Sequence, residues 1–173
     1  MGKFFKTHFV ASYQKIGTFR VDGNQKHGGN VASYFCLPDG RVLHVVAGPV
    51  NADVLLREAR WAVETWKLAQ LQTREVEPQV QTFMRNVHAK RLYAEHGLDL
   101  RKPAGTFANG TPIASVPPYE QPRFHTLSRA GQVHMLLASA PLISIGRLYA
   151  VIFERVLDER VSIQPVDVAE PRN

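Results

Sequence analysis

Two β-prone runs separated by a strong turn signal constrain the fold more than any other feature of this sequence. The runs are Val31–Leu37 and Arg41–Ala47, and Pro38, Asp39 and Gly40 stand between them. Asp-Gly pairs favour the tight turns that join antiparallel strands, because glycine adopts positive φ without steric cost. The sequence therefore predicts an antiparallel hairpin over residues 31–47, with Asp39-Gly40 in its turn.

After Gly48 the hydrophobic period changes from that of a strand to that of a helix. Asn51 is a typical N-cap, and the apolar residues that follow share one broad face. A second helix is predicted to begin near Pro78 and to end at Gly97. We expect the first helix to cover one face of the hairpin sheet. The residues predicted on its apolar face are Val54, Leu55, Ala59, Ala62, Val63, Trp66 and Ala69.

The segments on either side of this unit carry weaker signals. Residues 9–13 and 17–21 are β-prone, with turn chemistry at 22–24 and 27–30. Helical spacing returns at Leu127, breaks near Pro141 and resumes to Val156, and residues 161–163 suggest a short strand. The predicted organisation is an α/β core at 1–73, a helix at 74–97, a proline-rich loop or linker at 98–124 and a helical extension with a tail at 125–173.

The chain has one cysteine, Cys36, and this excludes a Cys-x-x-Cys pair, an intramolecular disulfide and a multi-cysteine zinc site. Its position within an apolar strand indicates a packed core thiol. The seven histidines show no metal-ligand spacing, so we expect no metal and no cofactor; His44, in the second hairpin strand, is the histidine of most interest.

The formal charge of +6 comes from lysines and arginines that are scattered along the chain. This pattern is typical of a solvated basic surface, and we expect no nucleic-acid partner. Lys6 and His8 interrupt any apolar leader, and no apolar run is long enough for a membrane span, so we expect no signal peptide and favour a cytoplasmic location.

Residues 29–48, followed by residues 51–66, resemble the C-terminal half of a thioredoxin domain. In that family a strand, a turn with Asp-Gly or Asn-Gly, an antiparallel strand, a glycine and a final helix come in this order. The resemblance covers roughly residues 9–70 and implies a partial thioredoxin-like α/β sheet with a helical C-terminal extension. The family's Cys-x-x-Cys precedes the matching region, so the chain resembles a front-truncated member without that motif.

The resemblance also implies a binding edge. The family places a cis-proline just before the first hairpin strand, where the backbone pairs with an extended substrate. Val31 and Ala32 occupy that place here, and we expect a trans peptide because a cis bond before alanine costs about 2.5–4 kcal/mol. Asn30, Val31 and Ala32 are the candidate binding residues for a protein or peptide.

The favoured function is a redox-inactive, thioredoxin-like binding or structural protein without enzyme activity. Self-association through the apolar C-terminal helices is a further expectation. The alternative is a thiol–disulfide oxidoreductase relative whose N-terminal active-site segment is missing from this chain. A basic nucleic-acid-binding module is a third hypothesis.

Overall fold

A computed structural model describes residues 2–14, 20–22, 25–27, 30–102 and 104–161. The fold is mixed α/β and mostly helical, with two small antiparallel sheets of two strands each. The strands are β1 (Arg20–Asp22), β2 (Gln25–His27), β3 (Ala32–Cys36) and β4 (Val42–Ala47). The helices are α1 (Gly2–His8), α2 (Ala52–Thr73), α3 (Glu77–His96), α4 (Pro122–His125), α5 (Arg129–Ser139) and α6 (Ile145–Val151), which continues as a π-helical turn over Ile152–Val156. Within these ranges, none of the helices combines the length and apolar character needed to cross a membrane.

The predicted hairpin is confirmed. β3 pairs antiparallel with β4, with a register shift between Phe35 and Cys36. The turn is closed by two backbone hydrogen bonds, from Gly40 N to Leu37 O at 2.9 Å and from Leu37 N to Arg41 O at 2.8 Å. Gly40 has φ of 81°, which is the left-handed conformation predicted from the sequence.

Replacing Gly40 with alanine should therefore lower the free energy of unfolding by about 1 kcal/mol, the cost of a Cβ in the left-handed region. The space itself is adequate, because an added Cβ would lie 3.8 Å from Ile145 Cγ2. Gly146→Ala is the matched control, since Gly146 lies in α6 with open space around it and alanine favours helix. Urea denaturation of both variants checks the difference, and equal stability would contradict it.

Both predicted long helices are also confirmed, together with their ends. The side chain of Asn51 accepts a hydrogen bond from Val54 N at 2.9 Å and caps α2. Pro78 lies in the first turn of α3, and Gly97 ends that helix with φ of 70°. α2 packs against both β4 and α3, as expected for a helix that covers the hairpin.

The strand predicted over residues 9–13 is wrong. The chain forms α1 just before it, and residues 9–14 contain no strand. Phe9 N donates to Phe5 O at 2.8 Å, and Phe4, Phe5 and Phe9 pack against the core beside Phe35 and α2. Aromatic burial at helical spacing therefore outweighs the β propensity of the segment. Most of the predicted 17–21 strand and the centres of both turns lie outside the described residues, as does most of the 161–163 strand.

The C-terminal helices are joined to the core. α5 packs against α3 and β4, and the π-helical turn after α6 packs against α5 in turn. α5 ends at Ser139 and α6 begins at Ile145, so the predicted break near Pro141 is confirmed. The segment read from the sequence as a helical extension thus supplies much of the central core, including Val133, Met135 and Leu137.

Candidate metal centre

Three of the seven histidines meet in the interior, each carried there by a different element. His44 lies on β4 opposite Phe35, His88 lies on α3, and His134 lies on α5. Their exposed fractions are 3%, 1% and 1%. Burial of three imidazoles at one point is costly unless their polar atoms have partners.

The three imidazoles approach one another closely. His88 Nδ1 and His134 Nδ1 are 2.9 Å apart, and one ring nitrogen from each of the three histidines lies within 4.8 Å of the others. The ring centroids of His44 and His134 are 5.2 Å apart with nearly parallel planes. Among the described residues this is the one group of three histidine, cysteine or acidic side chains whose ligand atoms converge in this way.

The backbone fixes the tautomer of His88. His88 Nε2 is 3.0 Å from the carbonyl oxygen of Leu43, and a carbonyl can only accept, so Nε2 carries the proton. The neutral ring then has its lone pair on Nδ1. His134 Nδ1 donates to that lone pair.

A carboxylate fixes the tautomer of His44 in the same way. His44 Nε2 lies 3.2 Å from Glu58 Oε2 and donates to it, which leaves the lone pair on Nδ1. His44 Nδ1 is buried and has no hydrogen-bond partner within the described ranges of the chain. A histidine whose second nitrogen is held by a carboxylate, with the first nitrogen free to ligate, is the arrangement of many metal-binding histidines.

Glu58 is itself held by a buried network. Arg91 Nη1 and Nη2 donate to its two carboxylate oxygens at 2.7 and 3.0 Å, and Arg57 Nη2 lies 3.1 Å from Oε1. Glu58 is 6% exposed although it lies in the middle of α2. Burial alone would raise the pKa of Glu58, but the hydrogen bonds from His44 and Arg91 outweigh it and hold that pKa well below its ordinary value.

Burial disfavours the charged form of all three cluster histidines, and metal binding requires the neutral form. Burial, with a smaller contribution from the charge of His44, lowers the pKa of His88 to about 3. Burial also lowers the pKa of His134 and of His44; the neighbouring His88 adds to the effect on His134, whereas the hydrogen bond to Glu58 opposes it on His44. Three neutral imidazoles can therefore bind a metal ion without first releasing a proton.

The spacing is close to that of a coordination shell. Two nitrogens bound to one tetrahedral zinc ion lie about 3.3 Å apart, given bond lengths of about 2.05 Å. The His88–His134 pair, at 2.9 Å, is already near that value. With all three nitrogens within 4.8 Å, the cluster would contract by about 1.5 Å at most, the difference from about 3.3 Å.

The residues predicted from the resemblance lie elsewhere. Asn30, Val31 and Ala32 are consecutive at the start of β3, joined by a trans peptide at Ala32. Asn30 N donates to Glu159 Oε2 at 2.9 Å, and Val31 is half exposed. None of the three belongs to the histidine cluster, and their role as a peptide-binding edge stays a prediction.

Cys36 is a free, partly buried thiol packed against the core. Burial and the nearby Asp39 raise its pKa, which disfavours the thiolate. This agrees with the packing role predicted for it.

Spacing along the chain did not reveal the cluster, because 46 residues separate His88 from His134. A signal was nevertheless present in α3. Val80, Met84, His88 and Leu92 recur every four residues and are all buried, so His88 occupies a core position of that helix.

Comparisons of the chain with protein-family models, with curated proteins and with solved structures give no match.

Proposed function

We propose that this chain is a metal-binding protein in which His44, His88 and His134 hold one transition-metal ion. The observation that carries the proposal is the buried Nδ1 of His44, which has no hydrogen-bond partner among the described residues, on a ring whose centroid lies 5.2 Å from that of His134. An unpaired buried polar atom is costly and rare in native proteins, and a bound ion would satisfy it.

The donor set selects the metal class. Three imidazole nitrogens suit zinc, copper, nickel or cobalt, whereas calcium and magnesium need oxygen ligands. We take Zn²⁺ as the specific candidate, because neutral histidines are among its usual ligands and it imposes little geometric preference. Three protein ligands leave the remaining coordination to water or a small ligand.

The surrounding residues have definite tasks in such a site. Glu58 and the Leu43 carbonyl hold the far nitrogens of His44 and His88, which orients both rings and raises their basicity. His134 has to move its proton from Nδ1 to Nε2, so that Nδ1 no longer donates to His88. The ion would then tie β4, α3 and α5 together, which favours a structural role coupled to folding.

The direct test is Zn²⁺ binding by the purified, metal-stripped chain. We expect about one equivalent after equilibrium dialysis, measured by elemental analysis, and a rise in melting temperature because the ion binds only the folded state. His88→Gln should abolish binding, since it removes the Nδ1 lone pair. His125→Gln, an exposed histidine on α4, is the matched control and should retain the full equivalent.

Co²⁺ gives a second measurement on the same proteins. Tetrahedral nitrogen ligation produces visible absorption bands, and these should be present in the wild type and absent in His88→Gln. Absence of Zn²⁺ binding, or equal binding by the two variants, would leave the cluster as a stack of neutral core imidazoles and would contradict the proposal.

The thioredoxin-like resemblance is retained as a separate proposal. It is supported by the β3–β4 hairpin followed by α2, which is the order of elements on which the resemblance rests. With Cys36 as its single cysteine, such a chain would act as a redox-inactive binding or structural protein, because one thiol cannot both attack and resolve a disulfide.

A further inference from the structure

We propose that a cleft on the outer side of α2 is the route by which the metal ion reaches the three histidines, and that Trp61 is its gate. This inference rests on the proposed metal centre and adds the entry path that a buried site needs. The cleft has a volume of about 500 Å³. Its lining residues are Asp53, Leu56, Arg57, Arg60, Trp61 and Glu64.

Trp61 is the residue that connects the cleft to the cluster. Its indole ring lies 4.9, 5.3 and 5.7 Å from the ring centroids of His44, His88 and His134, and it meets each of them at a steep angle. The same side chain is partly exposed and lines the cleft. One aromatic ring therefore contacts all three histidines and also lines the cleft.

Two charged side chains also link the Trp61 ring to the histidine cluster. The guanidinium of Arg91 lies 4.7 Å from the centre of the Trp61 ring, in a cation–π contact. Arg91 binds Glu58, and Glu58 accepts from His44, so the gate and one ligand share a single network. Movement of the three histidines towards a bound ion would shift the Trp61 indole through these contacts.

The charges of the cleft favour entry of a cation over an anion. Of its two arginines, Arg57 pairs with Glu58, whereas Arg60 keeps its charge in a cation–π contact 5.6 Å from the Phe4 ring, so the carboxylates of Asp53 and Glu64 outnumber the one remaining cation. Within the described part of the chain, Asp53 and Glu64 form no ion pair. Two carboxylates without a cationic partner raise the local concentration of a divalent cation at the mouth.

Opening requires rotation of one side chain rather than opening of the fold. Rotation of Trp61 breaks only the contacts of that one side chain, whereas separation of α3 from α5 would need local unfolding over microseconds to seconds. A route through Trp61 therefore predicts that metal exchange depends on the size of this side chain. A route through local unfolding predicts that exchange follows global stability.

The test is the rate at which the Zn²⁺-loaded chain transfers its ion to the chromophoric chelator 4-(2-pyridylazo)resorcinol, together with the rate of Co²⁺ uptake by the metal-free chain. Trp61→Ala should accelerate both rates by about tenfold or more, with one equivalent of metal still bound. Trp66→Ala is the matched control, because Trp66 lies on the same helix but lines a different cleft. It should exchange at the wild-type rate.

Two further variants keep the test decisive if Trp61→Ala folds poorly. Trp61→Phe should give a smaller acceleration, and Leu56→Trp, which fills the cleft, should slow both rates. Metal binding with equal rates in wild type, Trp61→Ala and Leu56→Trp would overturn the route and leave the metal centre intact. Failure of every protein to bind Zn²⁺ or Co²⁺ would instead overturn the metal centre, and the route with it.

Discussion

Glu58→Leu should lower the free energy of unfolding by about 3–5 kcal/mol, the cost of removing one partner of a buried ion pair. The substitution keeps similar volume but leaves the Arg91 guanidinium, 15% exposed, without its bidentate acceptor. It also leaves the Nε2 proton of buried His44 without an acceptor. Chemical denaturation monitored by circular dichroism measures the loss.

Arg91 offers its own control for this effect. Glu95 also accepts from Arg91, at 2.6 Å, but the Glu95 side chain is 44% exposed. Glu95→Leu should therefore cost at most about 1 kcal/mol, as for other surface ion pairs. The double variant Glu58→Leu/Arg91→Leu should recover part of the loss, because no buried charge remains unpaired. Equal costs for Glu58→Leu and Glu95→Leu would contradict the buried network.

The Glu58 variants also separate the network's two tasks. Glu58→Gln retains an oxygen that can accept from His44 Nε2, so it should keep Zn²⁺ binding while losing part of the stability provided by Arg91. Glu58→Leu removes both contributions. The difference in Zn²⁺ binding between the two variants thus measures how much the hydrogen bond to His44 Nε2 contributes, separately from the ion pair with Arg91.

The parts of the fold that local chemistry determines were predictable from the sequence. The turn at Gly40 and the caps at Asn51 and Gly97 each depend on a few neighbouring residues, and all three formed as predicted. The strand expected at residues 9–13 failed because Phe4, Phe5 and Phe9 gain more from packing as a helical turn against the core. That gain depends on distant partners, which a local window does not contain.

The histidine cluster depends on long-range packing for the same reason. β4, α3 and α5 each contribute one histidine, and only the packing of these elements brings the three together. Polar residues at core positions were the available signal. His88 continues the buried stripe of α3, and Glu58 continues the buried face of α2 with Ala62, Thr65 and Ala69. Such residues need partners, which points to a polar site without identifying its other members.

The metal-free chain should lose stability steeply as pH falls from 6.5 towards 3. In the unfolded chain the histidines take up a proton near their ordinary pKa of 6.5, whereas burial lowers the pKa of His88 to about 3 in the folded chain. Between these values the unfolded state binds more protons, so acid favours unfolding. Each histidine that stays neutral in the fold removes about 1.4 kcal/mol per pH unit.

The three cluster histidines act in the same direction, because the pKa of His44 and His134 is also lowered. Glu58 adds to the loss below its ordinary pKa of 4.5, since its carboxylate is stabilised in the folded chain. Urea midpoints at pH 7, 6 and 5 measure the slope, and His125→Gln, which alters an exposed histidine, should leave that slope unchanged. Above about pH 7 the three histidines carry no extra proton in either the folded or the unfolded chain. The free energy of unfolding should therefore level off there. A midpoint that stays constant from pH 6.5 to pH 5 would mean that the cluster takes up protons within the fold, and three neutral buried ligands would no longer describe it.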